Sequence, residues 1–66
     1  MSNISTLAFV HPEAKLGKEV IVEPFAYIDQ NVEIGDGSRI MTSATVLTGA
    51  RIGKKCTFFP HATISA

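Results

Sequence analysis

Sixty-six residues and 7.1 kDa allow one small domain, and an apolar content of 45% excludes a disordered tail. Six Lys and Arg balance six Asp and Glu, so zero formal charge argues against a nucleic-acid groove or a patch for acidic membranes. One cysteine cannot form an internal disulfide, no Cys/His cluster is present to hold a structural zinc, and no apolar run approaches the ~18 residues of a membrane span.

Large apolar residues recur every six positions along the chain: Ile4, Val10, Leu16, Val22, Ile28, Ile34, Ile40, Val46, Ile52, Phe58 and Ile64. At this composition such a run would arise by chance about once in a thousand sequences, so the period is structural. Four places after each comes a small or β-branched residue: Ala8, Ala14, Val20, Ala26, Val32, Ser38, Ala44, Ala50, Cys56 and Ala62. All the charged residues avoid both phases. Pro12, Pro24 and Pro60 fall two places after a large residue, and the five glycines fall one or three places after it. Proline fixes φ and glycine supplies φ > 0, so both kinds belong at bends.

A six-residue period fits neither a 3.6-residue helix nor a hairpin sheet. It predicts a coil of flat sides, each pointing one large and one small residue inward. Gly17, Gly35 and Gly53 recur every eighteen residues, so three sides close one turn, and successive turns stack as parallel strands about 4.8 Å apart. The prediction is an all-β, three-sided parallel β-helix of about three coils, a single segment over residues 1–66. The pattern stops two residues after Ile64 without capping structure, which predicts the N-terminal part of a longer chain, truncated at its C-terminal end.

Sorting the outward residues by hexad gives three unequal sides. Side one starts at Val10, Ile28 and Val46; side two at Leu16, Ile34 and Ile52; side three at Ile4, Val22, Ile40 and Phe58. Glu23 is the only charge assigned to side three, which also takes every aromatic residue together with Leu7 and Met41. Leu7, Phe9, Phe25, Tyr27, Met41 and Phe59 are therefore the predicted interface, a contiguous apolar stripe of the kind soluble monomers rarely expose. A three-fold assembly is expected, against the blander reading that these residues cover corners locally.

The chemistry-bearing residues form no catalytic constellation. His11 and His61 lie nearly three coils apart, too far to share a metal, and read as corner or surface residues. Cys56 occupies an inward slot and reads as core. Glu33 and Asp36, with Lys54 and Lys55 on a neighbouring coil, read as a solvated face with cross-strand pairing. Gly35-Asp36-Gly37 is a bend without the strand-to-helix context of a phosphate loop. No catalytic, cofactor-binding or metal residue is assigned.

The hexad grammar resembles the hexapeptide-repeat transferases. Ala8-Phe9-Val10-His11-Pro12, then Ala14, Pro24-Phe25 and Val32-Glu33-Ile34-Gly35-Asp36-Gly37 look like the opening of the acyl carrier protein–UDP-N-acetylglucosamine O-acyltransferases, from about Leu7 to Ala66. That resemblance implies a left-handed helix, a homotrimer, and transfer of a 3-hydroxyacyl chain from acyl carrier protein to the sugar's 3-hydroxyl, the first step of lipid A synthesis; the cytoplasmic location is expected from the lone free thiol and the want of a leader or span pattern. It also implies a histidine general base without any cofactor, carried on later coils, with neither His11 nor His61 its counterpart. This span alone is then expected to be inactive scaffold. Two other readings are another hexapeptide acyl- or acetyltransferase and a non-enzymatic β-helical module. The γ-type carbonic anhydrases of the same fold are disfavoured by the wide His spacing.

Overall fold

In the computed structural model, which describes residues 3–65, the chain contains eleven strands of two residues each. They are β1 (Asn3–Ile4), β2 (Phe9–Val10), β3 (Lys15–Leu16), β4 (Ile21–Val22), β5 (Tyr27–Ile28), β6 (Glu33–Ile34), β7 (Arg39–Ile40), β8 (Thr45–Val46), β9 (Arg51–Ile52), β10 (Thr57–Phe58) and β11 (Thr63–Ile64). The second residue of every strand is the large apolar residue of the six-residue period. Alternation along a strand sends it to the opposite face from its neighbour, and that face is the interior.

Every pairing is parallel and links a residue to the one eighteen positions later, as in Lys15 with Glu33 and Glu33 with Arg51. Three sheets result, ordered β1-β4-β7-β10, β2-β5-β8-β11 and β3-β6-β9. They form the walls of a triangular prism of about three turns, with no helix among the described residues, consistent with the left-handed form. Inter-coil hydrogen bonds are short: Lys15 N–H donates to Val32 O at 2.8 Å, and Gly35 N–H to Ile52 O at 2.8 Å. Backbone satisfaction is therefore mainly a matter of stacking one coil on the next, with local turn bonds such as Ala26 N–H to Glu23 O at the bends.

From the third bend onward, each bend places one residue in the left-handed region. Glu19, Phe25, Asn31, Gly37, Ser43, Gly49, Lys55 and His61, six apart, have φ between 55° and 82°. Six of them are not glycine, and each such conformation costs roughly 1–2 kcal/mol, carried here by the coil pairing above and below. The prolines sit at bends as expected. The glycines split into two kinds: Gly37 and Gly49 supply positive φ, whereas Gly17 and Gly35 answer a close approach. A Cβ on Gly17 would lie 2.8 Å from Asp36 N, and one on Gly35 would lie 2.7 Å from Gly53 C. The eighteen-residue glycine period thus marks where coils touch, not where φ turns positive.

Val20, Val22, Ala26, Ile28, Val32, Ile34, Ile40, Ala44, Val46, Ala50 and Ile52 form the buried core. Ser38 is buried among them with its hydroxyl satisfied on both sides: Oγ donates to Gly53 O at 2.8 Å and accepts from Cys56 N–H at 3.1 Å. Burial falls away at both ends of the prism. Val10, Leu16, Cys56, Phe58 and Ile64 pack against the core while only half-buried, and Ile4 is 44% exposed although its phase is inward.

Candidate subunit interface

The outward chemistry is set by the first residue of each strand, and this corrects the hexad sorting. That residue closes one hexad but belongs to the next wall. Phe9 and Tyr27 therefore open β2 and β5 in the wall of Val10 and Ile28, not in the wall of Ile4 and Val22. By the same shift Arg39 joins Glu23 on the β1-β4-β7-β10 side, and Lys15, Glu33 and Arg51 move onto β3, β6 and β9. The sidedness becomes sharper: the β3-β6-β9 wall and the bends that follow it carry Lys15, Lys18, Glu19, Glu33, Asp36, Arg51, Lys54 and Lys55, eight of the chain's twelve Asp, Glu, Lys and Arg residues.

The apolar residues gather around the corner joining the β1-β4-β7-β10 wall to the β2-β5-β8-β11 wall. Phe9 and Tyr27 stack with ring centroids 5.1 Å apart and planes 16° from parallel, a spacing imposed by the coil repeat. Leu7 and Phe25 sit above one another at the corner, where Phe25 N–H donates to Leu7 O at 3.2 Å. Leu7 is 61% exposed, Phe25 66% and Phe59 70%. Met41, half-buried, and Phe59 occupy the leading flank of the same corner on later coils.

Polar contacts lie at the same corner: Glu23 accepts from Thr42 N–H at 3.1 Å and pairs with Arg39 Nε at 3.4 Å, while Thr42 Oγ1 donates to Pro24 O at 2.6 Å. Glu23–Arg39 is the one ion pair among the described residues. The pairing expected of Glu33 and Asp36 with Lys54 and Lys55 takes another form: Asp36 Oδ1 accepts from the Lys18 backbone N–H at 2.8 Å. Leu47, 37% exposed at a different corner, is an apolar surface residue that hexad sorting does not single out.

The two histidines lie at different corners. His11 Nδ1 accepts from Glu13 N–H at 3.0 Å, a local turn bond that uses one ring nitrogen, and its ring meets Phe9 edge-on at 6.3 Å. His61 is an exposed bend residue at φ 65°. Cys56 is a free thiol in its inward slot, half-buried near the end of the prism. Among the described residues no group of three or more His, Cys, Asp or Glu is placed to hold a metal ion, and no helix is long and apolar enough to cross a membrane.

Comparison with known proteins agrees with the coil pattern. No protein-family model matches the chain. Over 64 residues it is 38% identical to the acyl-[acyl-carrier-protein]–UDP-N-acetylglucosamine O-acyltransferase of Thermodesulfovibrio yellowstonii, a match covering 97% of this chain and 25% of that protein. Proteins of the same name from Chlamydia caviae and Chlamydia pneumoniae are 36% and 34% identical over 64 residues, each match covering 97% of this chain and 23% of theirs. The chain thus spans about a quarter of the length of the curated relatives it matches.

Proposed function

With the chain established as a sequence relative of the acyl-[acyl-carrier-protein]–UDP-N-acetylglucosamine O-acyltransferases, we propose that it forms the opening coils of such an enzyme. The parent would transfer a 3-hydroxyacyl chain from acyl carrier protein to the 3-hydroxyl of UDP-N-acetylglucosamine, in the cytoplasm, as the first step of lipid A synthesis. The carrying observation is that the similarity runs through nearly the whole chain, and that its residues build the coils a hexapeptide-repeat acyltransferase segment needs.

In this reading residues 1–66 are scaffold. Among the described residues no nucleophile–base pair is formed, and both imidazoles sit at corners of the prism. Their part is to start the β-helix and to offer the corner of Leu7, Phe9, Phe25, Tyr27, Met41 and Phe59 to a neighbouring copy in a homotrimer. Burial of several large side chains is worth about 1.5–3 kcal/mol each, enough to favour association of a patch this exposed. The direct test is an acyl-transfer assay on the 66-residue chain with acyl carrier protein and UDP-N-acetylglucosamine. No turnover is expected; measurable transfer would contradict the scaffold role.

A further inference from the structure

His11 is tied to the apolar surface from two directions. Its Nδ1 accepts from the Glu13 N–H at 3.0 Å, so the turn holds the ring through a lone pair that only the unprotonated nitrogen has. The held ring, half-buried, stands edge-on to Phe9, with centroids 6.3 Å apart and planes at 77°. Phe9 in turn stacks on Tyr27 at 5.1 Å. One imidazole is therefore the rim of an aromatic row in which Phe9 is 47% and Tyr27 40% exposed.

The corner around this ring carries acid. Glu13 belongs to the same bend, and Asp29 takes the place of His11 in the next coil, one residue after the Ile28 that pairs with Val10. Asp29 Oδ1 accepts from the Gln30 N–H at 2.8 Å. Tyr27 is the other ionisable group of the β2-β5-β8-β11 wall, while Lys15, Glu33 and Arg51 line a groove with Glu13 on the next wall. Imidazole is the side chain whose charge ordinarily changes between about pH 5 and 8. A proton on Nδ1 turns that acceptor into a donor, which ends the bond from Glu13 N–H and leaves a cation at the rim of the row. A copy that covers Phe9 and Tyr27 then has to strip water from the cation, which costs free energy; a neutral ring imposes no such cost.

We propose that His11 is a proton-sensitive latch on the assembly of this chain, an inference that rests on the subunit-interface reading above. Neutral, the ring is held against Phe9 by the Glu13 turn and copies associate. Protonated, it lets go of the turn and copies separate.

The test uses the His61→Asn protein, in which His11 is the one imidazole left; asparagine suits the left-handed bend at that position. Sedimentation equilibrium is expected to show the trimer dissociating at least about tenfold more readily at about pH 5.5 than at about pH 7.5. Adding His11→Asn supplies an oxygen that can accept the same Glu13 N–H and takes no charge, and the two values then agree. Equal assembly at both pH values with His11 present, or the same pH dependence once it is replaced, overturns the proposal. Absence of assembly at both values strikes the interface reading and the assembly half of the proposal with it. The latch itself is read separately in the Phe25→Ser, Phe59→Ser protein, where the Glu13 amide resonance should follow the His11 ring protons through their titration. A Glu13 amide that stays put while the ring titrates overturns the latch on its own.

Discussion

The charged wall of β3, β6 and β9 and the apolar corner around Phe25 have the same backbone, the same coil spacing and the same inward pattern, yet opposite surfaces. On the wall, Lys15, Glu33 and Arg51 alternate in sign along the stacking direction, so each rung tolerates its neighbours and the face stays wet. At the corner, Phe9 stacks on Tyr27 and Leu7 lies against Phe25, with more than half of Leu7 and Phe25 left to solvent. The interior therefore decides the fold and leaves the outward positions free to specialise. One surface is charged, and the other is apolar and exposed.

The largest effects come from what both regions share. Ile40→Ala, in the fully buried middle of the prism, is expected to lose about 2–5 kcal/mol in chemical denaturation, enough to unfold a domain this small. Ile4→Ala, at an end where the side chain is already 44% exposed, should cost well under half of that. Equal losses would mean that the end coil is packed as tightly as the middle.

Backbone contact gives the next contrast. Gly35→Ala drives a methyl into the Gly53 backbone and is expected to cost about 1–3 kcal/mol, whereas Gly53→Ala meets only open space and should change stability by less than about 0.5 kcal/mol. Ser38→Ala leaves Gly53 O and Cys56 N–H without their bridging hydroxyl, for a loss of about 1–3 kcal/mol by the same denaturation measurement. Smallest is Glu23→Gln, which weakens the half-exposed pair with Arg39 and should cost about 0.5 kcal/mol, a difference that fades at high salt.

The interior was legible in the sequence because one period governs it. Steps of six from Ile4 find every strand, and steps of eighteen find every pairing. The surface was less legible for a geometric reason. The residue just before each large apolar one closes a hexad in sequence but opens a strand in space, so Phe9, Tyr27, Arg39 and Lys15 were sorted one wall too early. The glycines show a similar limit: Gly17 and Gly37 both stand near bends, and only the stacked coils distinguish close approach from positive φ. The Glu23–Arg39–Thr42 contacts at the apolar corner join residues some sixteen to nineteen positions apart, which no local motif displays.

The central claim is that the corner of Leu7, Phe9, Phe25, Tyr27, Met41 and Phe59 is covered by other copies of the chain. Sedimentation equilibrium of the wild type beside a Phe25→Ser, Phe59→Ser variant tests it most directly, because both side chains are at least 66% exposed and their loss should spare the core. The account predicts a trimer mass for the wild type and a monomer for the variant, with unchanged far-ultraviolet circular dichroism. A wild type that stays strictly monomeric at high concentration, or a variant that still forms trimers, would contradict it.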